Sequence, residues 1–232
     1  MSLADFIRAP EHFVAREKML HMKAAFEMKV AAASSGVQLQ MTEPEIDNQG
    51  YDFTIAWGYD LLYIQNKATI SDAGAHSWDF HPLHFQVPLL ERDLAPRING
   101  ESIGGVEGAM GGALLHRISH EAALKGNLEV DYFYFDVFYA SAIVSGLWEA
   151  RSFSPDEARS ILLSIKEGQR GDRVTIPLRA MLPIKSPSAL LAFRFGLPIP
   201  TNYVSLGRLS FDEGVPEPFK EIWRGAVGQW VR

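Results

Sequence analysis

Between Glu11 and Ser34 the apolar residues Phe13, Leu20, Ala24, Met28 and Ala31 recur at three-, four- and seven-residue steps, which predicts one long helix with a buried side. Ser34, Ser35 and Gly36 supply its stop. Val37 to Met41 alternates apolar and polar as a short strand does, and a hairpin follows. Its first strand carries Asp52, Thr54 and Ala56 on one face, with Phe53, Ile55 and Trp57 on the other. Gly58 to Asp60 is the turn. On the second strand Gln65 and Lys67 share a face, opposite Leu62, Ile64, Asn66 and Ala68.

Beyond Thr69 the pattern is more broken. Trp78 to Leu90 is aromatic, rich in histidine and interrupted by Pro82 and Pro88, so it allows at most an edge strand. Asn99 to Gly112 is rich in glycine and is the best place for a domain boundary. A helix is expected from Ala109 to Lys125, ending at Gly126. Glu129 to Tyr139 predicts a central strand: Tyr132, Tyr134, Asp136 and Phe138 face one way, Phe133, Phe135, Val137 and Tyr139 the other. Ser154, Pro155 and Glu157 form a helix start with a capping box, and that helix runs to about Gly168. Val174 to Leu178 predicts an edge strand. Prolines from Pro183 to Pro218 make a loop-rich wrap, and Pro218 to Trp230 a terminal helix packing Phe219, Ile222, Trp223 and Val227. The division that follows is a core over residues 1–180 and a Pro-rich extension over 181–232, within one domain.

Composition narrows this picture in three ways. A chain of 232 residues with 47% hydrophobic content can bury a sizeable core. The absence of cysteine excludes disulfides and thiolate metal sites and fits a reducing cytosol. No apolar run reaches the length of a membrane span, and the N-terminal stretch meets Arg8, Glu11 and Arg16 too soon for a signal peptide, so the expectation is a cytoplasmic protein. A net charge of −6 speaks against a surface that coats nucleic acid generally, while leaving room for a local basic groove.

Gly50-Tyr51-Asp52, followed after the hairpin by Gln65-Asn66-Lys67 and preceded by a helix bearing Glu27, resembles the PD-(D/E)XK nuclease superfamily, in the branch whose third motif is Gln-x-Lys. Holliday-junction-resolvase-like proteins and several uncharacterised bacterial families share the layout, which covers about the first third of the chain. The resemblance implies an α/β (α+β) restriction-endonuclease-like core: an N-terminal helix, a mixed central sheet and flanking helices. It implies a Mg²⁺- or Mn²⁺-dependent nuclease acting on DNA or another nucleic acid, often as a homodimer. Carried onto this chain, Asp52 is the first metal ligand and Gln65 the second. The Asn66 backbone carbonyl is a third oxygen, Glu27 a supporting carboxylate, and Lys67 the catalytic cation. Glu17 competes with Glu27 for the helical role. Glutamine in place of an acid removes one negative charge from the site and lowers its metal affinity.

Other groupings offer less. Glu43, Glu45 and Asp47 are best taken as a solvated acidic face. His116 and His120, four apart on the expected helix, have zinc-chelating spacing, but the glutamate falls outside the pair. His76, His81 and His84 flank Asp79 in a loop suited to substrate contact. Lys166, Arg170, Arg173 and Arg179 are the densest basic stretch. Two further readings stand beside the nuclease: a catalytically degenerate nuclease fold that binds nucleic acid or protein in a bacterial defence or mobile-element system, and an unrelated α/β protein whose site is the histidine loop.

Overall fold

The computed structural model describes residues 2–34, 36–44, 50–57, 60–88, 96–105, 107–146, 148 and 150–191. Two helices open the chain, α1 (Leu3–Arg8) and α2 (Phe13–Ser34), followed by β1 (Gln40–Thr42), β2 (Phe53–Trp57) and β3 (Asp60–Ile70). The middle holds β4 (Ser77–Phe80), α3 (Pro82–Phe85) and the two-residue strands β5 (Val87–Pro88), β6 (Arg97–Ile98), β7 (Glu101–Ser102) and β8 (Gly104–Gly105). Then come β9 (Gly112–Ile118), α4 (His120–Leu124), β10 (Val130–Phe135), α5 (Val137–Val144), α6 (Pro155–Glu167), β11 (Val174–Pro177) and β12 (Leu182–Ile184).

Six strands form one mixed sheet in the order β1-β2-β3-β9-β10-β12. Every pairing is antiparallel except β3 with β9, where Asn66 lies beside Leu114 and Ala68 beside His116. Mixed α/β architecture with helices against a mixed central sheet is therefore what the chain adopts. A parallel neighbour needs a long crossover, and residues 71–111 supply it. Along this crossover β4 pairs with β11 in a separate two-stranded sheet.

The two sheet faces are covered differently. Helix α2 buries Leu20, Ala24, Met28 and Ala32, spaced at i, i+4, on the face that carries Phe53, Leu62 and Ile64. The His21 ring meets Phe53 edge-on at 4.8 Å, and the Tyr132 hydroxyl donates to Glu27 at 3.4 Å, which sets α2 over β2, β3, β9 and β10. On the opposite face an aromatic chain runs from Phe80 to Phe85 and on to Phe135, each step 5.5 Å between ring centroids. Helix α6 closes this layer, burying Ala158, Leu162 and Ile165.

Several expectations change. Residues 112–118 form strand β9, not part of a helix over Ala109–Lys125: Leu114 and Leu115 are both fully buried, one on each face, so the segment needs partners on two sides. The expected strand Glu129–Tyr139 ends at Phe135, because Asp136 turns its carboxylate onto the Tyr139 amide at 2.7 Å and starts α5. Pro183 lies in β12 at the edge of the central sheet, where a missing N–H costs no ladder bond. The Ser154 capping box holds as expected, with Glu157 accepting from the Ser154 amide at 3.0 Å. Helix α1 has its own capping box, Ser2 with Asp5, a short signal that the hydrophobic pattern does not reveal. The terminal helix expected over Pro218–Trp230 and the wrap beyond residue 191 lie outside the described residues.

Candidate functional site

Strand β2 pairs with β3 through Phe53 opposite Ile64, and the Asp52 amide donates to the Ile64 carbonyl at 2.8 Å. This register brings Asp52 level with Gln65. One step further β2 no longer accompanies β3, and the Asp52 carboxylate accepts from the Asn66 backbone amide in place of a strand partner. Asp52 itself is exposed, whereas Gln65, Asn66 and Lys67 are half-buried.

Alternation then separates the motif residues. Gln65 and Lys67 share one face. The Gln65 side-chain carbonyl Oε1 is buried without a hydrogen-bond partner, an acceptor left in search of a donor or cation. The Lys67 ammonium stands 5.5 Å from the centre of the Phe80 ring, a cation–π arrangement on the aromatic side of the sheet. Asn66 projects to the other face, where its Oδ1 accepts from His116 Nε2 at 3.1 Å.

Glu27 belongs to that second face. Lys23 holds it at 2.6 Å and Tyr132 donates to it, so it forms a polar cluster with Tyr132, His116 and Asn66 and is not brought beside Lys67. Glu17 is the helical carboxylate that feels the Lys67 charge. Loss of water raises its pKa, and Arg16 and Lys67 oppose the shift. Strand register thus sets Asp52 level with Gln65, with Lys67 two residues further along the same face and Glu17 within electrostatic range of Lys67, and it sends the Asn66 side chain and Glu27 to the other face. The Asn66 contribution to the edge is its backbone.

The histidines do not converge. His116 is buried on β9 and His120 is the first residue of α4, so the pair does not share a helix and the zinc spacing has no geometric meaning. His84 is buried, with Nε2 2.9 Å from the Gly112 carbonyl; because a carbonyl only accepts, Nε2 carries the proton. Burial lowers the pKa of His84 to about 4 and that of His116 to about 3, so both rings are neutral near pH 7. His81 caps α3, and His76 is exposed. Asp79 accepts from Thr175 at 2.6 Å. Among the described residues no three His, Asp or Glu side chains cluster in a way that holds a metal ion.

Of the basic stretch, Lys166 pairs with Glu101 and Arg179 with Glu157. Glu43 is tied to Lys18 and His21, while Glu45 and Asp47 lie outside the described residues. The aromatics Tyr132, Tyr134 and Phe135 on β10 are buried and offer no stacking platform. No helix among the described residues is long and apolar enough to cross a membrane. Comparison with protein-family models, with curated proteins and with solved structures finds no match to this chain.

Proposed function

We propose that the protein is a divalent-metal-dependent phosphodiesterase acting on DNA, with its site at the β2–β3 edge. The observation that carries the reading is the Gln65 Oε1, a buried acceptor without a partner, level with the Asp52 carboxylate and two residues from a lysine on the same face. One carboxylate and one amide oxygen suit Mg²⁺, which keeps several of its waters and needs few protein ligands. Asp52 and Gln65 would hold the ion, and when bound it supplies an acidified water and screening of phosphate charge. Lys67 offers a fixed positive charge for phosphoryl oxygens as negative charge builds on them. The Phe80 ring restricts where that ammonium sits.

A second reading, a nuclease-like fold that binds without cutting, draws on two carboxylates missing beside Asp52: the glutamine is neutral and Glu27 is engaged by Lys23 and Tyr132. Titration of Mg²⁺ or Mn²⁺ against plasmid and oligonucleotide cleavage separates the two. Wild type is expected to cleave and Lys67→Ala to lose at least tenfold in rate, equivalent to about 1.4 kcal/mol. Equal background cleavage by both proteins removes the catalytic assignment.

A further inference from the structure

The hairpin of β2 and β3 is sealed on one face only. Toward α2, Phe53, Ile55, Leu62 and Ile64 are at most 1% exposed. On the face of Gln65 and Lys67, Ala56 and Tyr63 are half-buried and Leu61 is exposed. The layer of Phe80, Phe85 and Phe135 covers the neighbouring part of this face as far as Lys67.

Tyr51 joins the open face against the strand alternation. Counted back from Phe53 it would share the Asn66 face, but it precedes β2, and Gly50 before it takes a left-handed φ of 74°. A Cβ on Gly50 would lie 3.7 Å from Gln65 Nε2, so the incoming chain passes over the Gln65 side. The Tyr51 ring meets the Tyr63 ring edge-on there, with 4.7 Å between centroids and 64° between planes. An edge-to-face contact of this kind fixes the orientation of a ring. Tyr51 is half-buried, and among the described residues Tyr63 is the one ring it touches. It directly precedes Asp52, while Tyr63 stands two residues, roughly 6.7 Å, before Gln65 on the same face.

On the phosphodiesterase reading of the β2–β3 edge, which this step takes as given, we infer that Tyr51 stacks an unpaired base and Tyr63 holds Tyr51 in place, so that the substrate is a single-stranded segment of DNA. A nucleotide carries its base one sugar away from its phosphate, and the step from Asp52 and Gln65 to the two rings is of that order. Every base has a π-face, so one aromatic ring holds a base whatever the sequence. Within a duplex both faces of each base are already stacked, and a base reaches Tyr51 only from a strand that is unpaired there. Charge points the same way. Duplex affinity comes largely from phosphate contacts. This chain has a net charge of −6, and Lys166 and Arg179 of its densest basic stretch are tied to Glu101 and Glu157.

The test uses the full chain in EDTA, which keeps the strand intact, and a short thymine strand carrying one fluorescent base analogue whose emission falls when it stacks. Wild type and Tyr51→Phe are expected to quench the analogue. Tyr51→Leu is expected to leave it bright and to bind the strand about tenfold more weakly. Anisotropy is expected to show wild type binding a labelled single strand about tenfold more tightly than the same sequence as a duplex. That comparison and the wild-type quench need no variant, so they decide the question even if Tyr51→Leu fails to fold. An unquenched analogue, equal affinity for duplex and single strand, or a folded Tyr51→Leu that quenches as wild type does overturns the stacking assignment. Adding Mg²⁺ tells its failure from that of the hydrolase: cleavage of duplex as fast as single strand overturns stacking and keeps the hydrolase, whereas quenching without cleavage removes the hydrolase and keeps the stacking site.

Discussion

At the scale of single residues, the two buried imidazoles make the most definite physical statement. His84 and His116 each donate through Nε2 and leave Nδ1 buried without a partner. Protonation would place a positive charge where neither water nor a carboxylate compensates it. Their folded pKa values, about 4 and about 3, lie below the unfolded value of 6.5. Between those limits the unfolded chain binds more protons, so stability rises with pH there and is lost as pH falls below 6.5. The expected slope is about 1.4 kcal/mol per pH unit for each imidazole. Urea unfolding at several pH values between 7.5 and 5 checks this; a midpoint that does not move as pH drops contradicts it, and His116→Gln should flatten the curve. Gly111 shows the same packing from the other side, since a Cβ there would sit 2.3 Å from the His84 ring. Gly111→Ala is expected to cost about 1–3 kcal/mol by forcing that ring out of place.

At the scale of elements, helix ends are where specific side chains decide stability. Ser154 and Glu157 close the start of α6, and Gln86 closes its end by donating to the Ile165 carbonyl at 2.7 Å and the Gly168 carbonyl at 3.0 Å. The first is local in sequence and the second reaches from the crossover to residues about 80 positions later. Ser154→Ala should lower unfolding free energy by about 1 kcal/mol. Gln86→Leu leaves buried carbonyls unpaired and should cost about 1–3 kcal/mol. Chemical denaturation of both variants tests the ranking; a larger loss at Ser154 would mean that the distant cap contributes little. The β2–β3 hairpin illustrates another device. Strand β3 outlasts β2, and the Asp52 carboxylate satisfies the first amide of the uncovered edge. That same position sets the carboxylate level with Gln65, so the edge cap is also the residue assigned to the proposed ligand site.

For the molecule as a whole, a net charge of −6 means that any polyanionic substrate must be drawn in by local cations. Ion binding at the β2–β3 edge should show itself without activity, because a ligand that binds only the folded state stabilises it. Magnesium at about ten times its dissociation constant is expected to add about 1.4 kcal/mol. Thermal melts of wild type should therefore rise with Mg²⁺, whereas those of Asp52→Ala should not; an equal response of both would place the ion elsewhere.

Much of the architecture is written in local patterns. The 3.6-residue period of α2, the alternation of the hairpin and the Ser154 capping box each depend on neighbours within one or two turns, and each is visible residue by residue. The β2–β3 register that sets Asp52 level with Gln65 follows from strand alternation, so it too was legible. What a linear pattern cannot display is a segment covered on every side. Residues 112–118 have no polar face to set a period, and only their parallel pairing with β3 across the crossover makes them a strand. The same limit hid the capping role of Asp136 and the placement of Glu27 against Tyr132. Sequence alone determined which segments carry a one-sided pattern, because solvent on one face imprints it. Tertiary packing decided the fate of Leu114, His116 and Glu27, because burial from two sides erases that imprint and leaves distant partners to choose the backbone.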